Sequence, residues 1–201
     1  MITEAKTCRK CDLCKTRTNV VIGKGNEKAD ILFVGEAPGK NEDLQGLPFV
    51  GKAGTNLDNL LSKINLSISN IYIANILKCR PPENRDPTID EVKTCTPWLI
   101  KQIKIMKPKV ICTLGNYATK FFLSNCKPEL MKDMPGITQV HGKSRKIAFD
   151  NEAFTLIPLF HPAAIIYNRS LLPKWEEDME TVKKIANDHG VGIKTLQDFI
   201  K

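Results

Sequence analysis

The side chains best suited to chemistry follow residues 71–74, an apolar segment with the β-branched composition of a short buried strand. Asn75 comes directly after this segment, and Cys79 comes four residues later, just before Arg80-Pro81-Pro82. Ligands of parallel sheets bind at the carboxyl ends of the strands. The hypothesis is therefore that Asn75 reads a ligand by hydrogen bonding and that Cys79 holds a metal.

The cysteines give this hypothesis a second set of observations. Cys8 and Cys11 form a close pair, whereas Cys79 and Cys95 form a pair separated by fifteen residues. A zinc ribbon has two close pairs, so the wide second pair favours a larger group, such as an iron–sulfur cluster on four thiolates. Cys14 repeats the close spacing after Cys11, so the spacing alone leaves either Cys11 or Cys14 surplus.

Composition limits the class of protein. The chain has 201 residues, of which 42% are hydrophobic and 26% charged, and its net charge is +8. That charge favours a polyanionic partner, with nucleic acid first, although a lysine-rich solvated surface explains it equally well. No apolar run approaches the ~18 residues of a membrane span, and the N-terminus lacks a secretory signal. We therefore expect a cytoplasmic, nucleoid-associated protein without a membrane partner.

The pattern of apolar segments predicts an α/β fold. Core strands are expected near residues 30–34, 71–75, 109–114 and 155–160, with helices between them. This alternation is typical of one three-layer α/β/α domain with a central four-stranded parallel sheet, here spanning residues 1–201. Residues 146–149 are expected to pair with the last core strand.

Several helix boundaries can also be predicted. Thr55 is expected to cap one helix, and Thr88 to open another with a capping box. Pro97 is expected to interrupt that second helix or to restart it. A long helix should run from Pro173 to about His189, and residues 195–201 are expected to add one more turn.

Three of the four predicted core strands end in unusual polar loops. The first strand is followed by Gly35-Glu36-Ala37-Pro38-Gly39, the second by Asn75, and the fourth by His161-Pro162. These loops share one edge of a parallel sheet, so they can form one pocket.

Together these motifs resemble the family 4 uracil-DNA glycosylases, the thermostable iron–sulfur branch of that superfamily. The resemblance runs from Cys8 to about Ile185 and implies a matching fold. It implies an enzyme that flips deoxyuridine out of DNA and hydrolyses its N-glycosidic bond, which releases uracil and starts base-excision repair. The motifs that carry it are residues 17–21, 35–39 with 42–43, 48–54, 75–82 with 84–85, 137–142 and 160–162.

The resemblance also selects the cluster ligands. The family places its first cysteine pair six residues before the Arg17-Thr-Asn-Val-Val segment, counted from the second cysteine. That selects Cys8, Cys11, Cys79 and Cys95 as ligands of a [4Fe–4S] cluster, held by residues 1–19 and 79–95, and leaves Cys14 outside the set.

Three side chains are expected to recognise the base. Phe49 would stack on it, because an aromatic side chain in a Pro/Gly loop has little reason to serve the core. Asn75 would donate to uracil O4 and accept from N3–H, a pairing that cytosine reverses. His161 would donate to O2, where negative charge grows as the bond breaks.

The loop after the first strand is expected to complete the site. By resemblance Glu36 and Ala37 contact the uracil, and Glu42 lies near its C5, where it would help to reject the methyl group of thymine. Glu36 and Glu42 are both candidates to orient the attacking water. Ala37 stands near the place where related branches carry Asp or Asn.

Contacts with DNA are expected from basic residues around the pocket and from the loop after His161. Lys52, Arg80 and Arg85 are candidate phosphate contacts. Residues 163–172 form the predicted wedge, in which Tyr167 and Arg169 would touch DNA. The expected partner is uracil-containing DNA, single- or double-stranded; a sliding clamp is a further candidate, and the protein is expected to be a monomer.

Two other functions remain open on the sequence. One is a non-catalytic or covalent uracil-DNA binder of the same superfamily, since the first loop lacks an obvious Asp base. The other is an iron–sulfur module that binds DNA for the replication machinery without cleaving anything.

Overall fold

The computed structural model describes residues 2–149 and 152–191, and the predicted turn at 195–201 lies outside them. In this described part of the chain, six strands form one sheet in the order β1-β3-β2-β4-β6-β5. The strands are β1 (Lys24–Gly25), β2 (Ile31–Gly35), β3 (Tyr72–Asn75), β4 (Val110–Leu114), β5 (Arg145–Phe149) and β6 (Glu152–Leu159).

The centre of the sheet is parallel, as the sequence predicts. Strands β3, β2, β4 and β6 run in one direction, and they correspond to the four predicted core strands. The sheet nevertheless has six strands rather than four, because β1 and β5 add antiparallel edges. The predicted pairing of residues 146–149 with the last core strand is confirmed.

Nine α-helices lie in the described part of the chain. They are α1 (Ile2–Lys6), α2 (Leu13–Thr16), α3 (Lys40–Gln45), α4 (Lys52–Lys63), α5 (Ile89–Met106), α6 (Asn116–Leu123), α7 (Ile137–Val140), α8 (Ala164–Tyr167) and α9 (Leu172–Asp188). Short 3-10 helices occupy Pro82–Asn84, Pro128–Asp133 and Arg169–Leu171.

Two predicted helix boundaries are wrong. Helix α4 begins at Lys52, and its N-cap is Gly51, four residues before the predicted cap at Thr55. Helix α5 continues through Pro97, although its predicted capping box at Thr88 is present. Burial of the neighbouring Trp98 and Leu99 holds the helix together at a position where proline removes one hydrogen bond.

Helices cover both faces of the sheet. On one face, Phe33 and Ile73 pack with buried side chains of α4 and α9. On the other face, Leu32 and Val34 pack with buried side chains of α5 and α6. This alternation along β2 explains the uninterrupted apolar sequence of the strand, because both of its faces are buried.

The sheet topology brings three strand ends together. Strand β2 lies between β3 and β4, so the connection after β2 and the connection after β3 lead to opposite sides of β2. Such a switch point is where α/β sheets bind ligands. Gly35 at the end of β2 is paired with Asn75 at the end of β3. Within the described residues, no helix is both long and apolar enough to cross a bilayer.

Candidate active site

A pocket of about 360 Å³ opens at the carboxyl edge of the parallel strands. Five of the six predicted substrate-binding residues line it, and Glu36 does not. Its lining consists of Ala37, Gly39, Glu42, Phe49, Ala53, Asn75, Asn84, His161 and Ala163.

Asn75 lies deep in this pocket with an unused acceptor. Its side chain is only 2% exposed, and its buried Oδ1 atom has no hydrogen-bond partner among the residues that the structure describes. A Cβ atom on Gly35 would lie 2.4 Å from that oxygen and 2.8 Å from Cζ of Phe49. Glycine at position 35 therefore leaves the space in which the amide and the aromatic ring sit.

Phe49 is held by a strained backbone rather than by a regular element. Its φ angle is 53°, in the left-handed region, and its carbonyl accepts a hydrogen bond from Nζ of Lys24 at 3.0 Å. A Cβ atom on Gly54 would lie 1.9 Å from that carbonyl oxygen. The conformation holds the ring 5.8 Å from the His161 ring, centroid to centroid, at an interplanar angle of 33°.

His161 is a neutral hydrogen-bond donor in this site. The main-chain N–H of Ala163 donates to its Nδ1 at 3.2 Å, so the proton of the neutral ring lies on Nε2. Burial lowers the imidazole pKa to about 4, and the nearby Glu42 carboxylate opposes that shift only in part. The ring can therefore donate from Nε2 at neutral pH without carrying a charge.

Glu42 lines the pocket and is held there by main-chain donors. Its Oε1 accepts from the main-chain N–H groups of Val50 and Gly51 at 3.0 and 3.1 Å. Gly51 is the N-cap of α4, so the carboxylate lies where the helix dipole favours negative charge. A Cβ atom on Gly39 would approach the other oxygen, Oε2, to 2.8 Å.

Glu36 does not line the pocket and has Asp86 as its charged neighbour. Burial and the neighbouring Asp86 carboxylate raise its pKa to about 7. Asp86 and Glu36 also act on Tyr117, whose pKa burial raises to about 12. The carboxyl group of Glu36 thus lies in an acidic environment together with Asp86 and Tyr117.

The four predicted cluster cysteines line one small cavity. These are Cys8, Cys11, Cys79 and Cys95, and Cys14 is not among the lining residues. No three His, Cys, Asp or Glu side chains within 2–149 and 152–191 are arranged to hold a single metal ion. Four cysteine thiolates are the ligand set of an iron–sulfur cluster.

Hydrogen-bond donors point at these sulfur atoms. Arg17 donates from Nη1 to Sγ of Cys79 at 3.3 Å and from Nη2 to the carbonyl of Cys8 at 2.6 Å. The main-chain N–H of Lys78 donates to Sγ of Cys95 at 3.2 Å. Burial raises the pKa of the Cys95 thiol to about 12, so these donors supply part of the stabilisation that a thiolate would need there.

The residues predicted to contact DNA differ in their exposure to solvent and in their intramolecular hydrogen bonds. Lys52 and Arg169 are exposed, and Tyr167 is 89% exposed on the short helix α8. Arg80 donates from Nε to the side-chain oxygen of Asn84 at 2.8 Å.

Arg85 has an intramolecular partner that the sequence analysis did not anticipate. Its guanidinium forms a two-point ion pair with Glu91, which also closes the capping box at the start of α5. That pairing explains why the Arg85 segment is held against α5.

Asn84 is a pocket residue that sequence reasoning missed. Glu83 and Asn84 have φ angles of 53° and 57°, and this left-handed turn after Pro81-Pro82 carries Asn84 back to the pocket. The signal was present in the sequence, because asparagine tolerates the left-handed conformation better than most residues and Asn84 stands two residues after a proline pair.

The fold and site define an α/β protein with a ligand pocket at the switch point of its sheet, and comparison with known proteins gives its family. Residues 22–185 match the family model of the uracil DNA glycosylase superfamily. The chain is 44% identical over 200 residues to the type-4 uracil-DNA glycosylase of Archaeoglobus fulgidus, covering 100% of this chain and 97% of the relative.

Two further relatives agree. The type-4 uracil-DNA glycosylase of Sulfurisphaera tokodaii is 44% identical over 184 residues, covering 91% of this chain and 82% of the relative. That of Thermotoga maritima is 40% identical over 188 residues, covering 92% of each chain. The chain belongs to the type-4 uracil-DNA glycosylases of the uracil DNA glycosylase superfamily, so the resemblance stated from its motifs is confirmed.

Proposed function

We propose that the protein excises uracil from DNA by hydrolysing the N-glycosidic bond of a flipped deoxyuridine. The observation that carries this proposal is the buried Oδ1 of Asn75, which has no partner in a pocket of about 360 Å³. A buried, unpaired acceptor costs ~1–3 kcal/mol, so its presence at a strand end favours a ligand that donates to it.

Base recognition follows from the amide. Oδ1 of Asn75 accepts from uracil N3–H, and the amide nitrogen donates to O4. Cytosine presents an acceptor at N3 and a donor at position 4, so both contacts would become repulsive. Such a site rejects the wrong base strongly because its buried polar groups are left unpaired. Phe49 provides the apolar face on which the flipped base stacks.

His161 stabilises the departing base. As the glycosidic bond breaks, negative charge accumulates on the uracil oxygens, and the Nε2–H of a neutral imidazole donates to O2. A neutral donor in a buried site avoids the cost of holding an imidazolium there. The low pKa of His161 supports this role over that of a general acid at neutral pH.

Glu42 orients the attacking water and stabilises the positive charge that develops on the sugar. It lines the pocket, and two main-chain amides hold one of its oxygens. Glu36 is the second candidate for this role, and its raised pKa would make its contribution vary around neutral pH. Comparing Glu42→Gln with Glu36→Gln over a range of pH separates the two roles.

Cys8, Cys11, Cys79 and Cys95 would hold a [4Fe–4S] cluster, which supplies a structural crosslink here because hydrolysis moves no electrons. Their common cavity and the donors aimed at their sulfur atoms support this assignment.

The cysteine segment is tied to α3, the helix that carries Glu42. After Arg17, the main-chain N–H groups of Thr18 and Asn19 donate to the buried carboxylate of Asp43 at 2.9–3.2 Å. Asp43 directly follows Glu42 in α3. Holding the cysteine segment in place therefore also fixes the position of Glu42.

DNA binding would use the rim of the pocket. Tyr167 is the candidate wedge, because it is 89% exposed and follows the segment that carries His161. Lys52 and Arg169 are the exposed candidates for phosphate contacts, and Arg80 and Arg85 would help to shape the same rim.

Incubation with oligonucleotides that carry one uracil, followed by alkali, tests the proposed function. Alkali-dependent cleavage at the uracil, and none at a matched cytosine, is the expected result. An adduct that survives denaturation would instead identify a covalent uracil-DNA binder. Unmodified DNA with retained binding would identify a non-catalytic DNA-binding module.

A further inference from the structure

Lys78 is buried, with every polar atom engaged. Its ammonium donates to the carbonyl of Asn75 at 2.9 Å, to Oε1 of Gln102 at 2.6 Å and to the carbonyl of Ile22 at 3.4 Å. Its carbonyl accepts from the N–H of Val21 at 2.8 Å. Only 2% of the residue is exposed to solvent. A buried ammonium costs several kcal/mol before its partners compensate, so a core position of this kind calls for a specific explanation.

The position of the ammonium follows from an interruption in the sheet. Strand β1 pairs with β3 in antiparallel register, with Lys24 opposite Ile73. The same register continued by two residues places Ile22 opposite Asn75. No strand bond is formed there, and the ammonium of Lys78 instead donates to the carbonyls of both residues. Lys78 thus supplies the donor that the carbonyl of Asn75 would otherwise lack.

We propose that Lys78 is a positioning residue for base recognition, which holds the backbone of Asn75 so that its side-chain amide meets the uracil edge. This inference rests on the proposed uracil-excising function. The opposite edge of the same segment is fixed by main-chain hydrogen bonds just beyond the strand ends, from Ile76 N–H to the Gly35 carbonyl and from Leu77 N–H to the Glu36 carbonyl. Lys78 supports the backbone of Asn75 on the side facing β1, where the pairing of β1 with β3 has ended.

Gln102 serves as the anchor for the ammonium. It lies on α5, makes the shortest of the three contacts, and also donates from Nε2 to the carbonyl of Ile22 at 3.1 Å. It does not line the base pocket. A substitution at Gln102 therefore removes a hydrogen bond of the Lys78 ammonium without changing a residue that lines the pocket. It gives a second way to test the same proposal.

The test compares Lys78→Met with Lys132→Met, which removes the same charge from an exposed position. In single turnover on a uracil oligonucleotide, Lys78→Met should lower the excision rate about 10- to 100-fold because the amide is displaced. Lys132→Met should keep the wild-type rate. An unchanged rate in folded Lys78→Met would overturn the proposal. An inactive wild-type protein would count against the proposed function itself.

A binding cycle separates positioning from a general loss of structure. Affinities are measured for oligonucleotides carrying non-hydrolysable 2′-fluoro-deoxyuridine or 2′-fluoro-deoxycytidine. In the wild-type background, Lys78→Met should remove most of the preference for uracil over cytosine. In the Asn75→Ala background, adding Lys78→Met should leave the remaining preference unchanged. An equal loss in both backgrounds would show that Lys78 does not act through Asn75. If Lys78→Met does not fold, Gln102→Met is judged by the same two outcomes.

Discussion

The main-chain N–H of Ala163 donates to Nδ1 of His161 at 3.2 Å, and this contact fixes the imidazole proton on Nε2. The donor comes from the residue two positions later in the same turn. The local backbone after β6 therefore selects the tautomer that the proposed hydrogen bond to uracil O2 requires.

His161 should stay neutral far below its ordinary pKa. Because the pKa is about 4 in the folded protein, against 6.5 for an ordinary histidine, the folded state binds fewer protons between these values. Stability should therefore fall as the pH drops from about 6.5 to about 4, and His161→Gln should remove that part of the fall. Ring-carbon NMR shifts against pH measure the pKa directly, and a value above 6 would contradict this assignment.

Gly35→Ala should displace two of the side chains that line the pocket. The added Cβ would lie 2.4 Å from Oδ1 of Asn75 and 2.8 Å from Cζ of Phe49, so both groups must move. We expect a loss of stability of ~1–3 kcal/mol and an excision rate lowered about 100-fold. The matched control is Gly136→Ala, whose Cβ would meet only ordinary contacts, and which should behave like the wild type in both thermal melting and excision. Equal rates in the two variants would argue against close packing at Gly35.

Substituting a cysteine that lines the cavity should have a different effect on the cluster from substituting one that does not. Cys79→Ser should lose the visible absorption of the iron–sulfur cluster, because Cys79 lines the cavity and accepts from Arg17. Cys14→Ser should keep that absorption, because Cys14 is not among the lining residues. Iron content and absorption spectra of the two purified variants test the assignment. A colourless Cys14→Ser protein would overturn it.

Tyr167→Ala should affect duplex substrates most. A wedge fills the space that a flipped base leaves in a stacked duplex, whereas a single strand has no comparable stack to hold open. We expect the ratio of double- to single-strand excision rates to fall about 10-fold. Ile105→Ala serves as the control, since Ile105 is also an exposed apolar residue but lies on α5. An unchanged ratio in Tyr167→Ala would exclude this side chain as the wedge.

Much of the fold could be predicted because its core strands are short, apolar and separated by helices. The antiparallel edge β5 could also be predicted, whereas the edge β1 could not. Strand β1 has only two residues and depends on pairing with β3, which no local pattern reveals. The continuity of α5 through Pro97 likewise depends on tertiary burial of its neighbours, which outweighs the local preference of proline.

The site was predictable where a residue ends a strand. Asn75 and His161 follow apolar segments directly, so the edge of the sheet determines where they lie. Glu36 shows the limit, because the loop motif predicts it in the pocket, whereas its carboxyl group lies near Asp86 and Tyr117, which that motif does not contain. The pairing of Arg85 with Glu91 also requires the folded turn between them.

Base discrimination by Asn75 can be measured directly through the relative affinity for 2′-fluoro-deoxyuridine and 2′-fluoro-deoxycytidine oligonucleotides. The wild type should prefer uracil by at least about 100-fold, because cytosine leaves the buried amide unpaired. Asn75→Ala should abolish the preference, whereas Asn187→Ala on the exposed face of α9 should keep it. An Asn75→Ala protein that still distinguishes uracil from cytosine as well as the wild type does would contradict a reading role for Asn75.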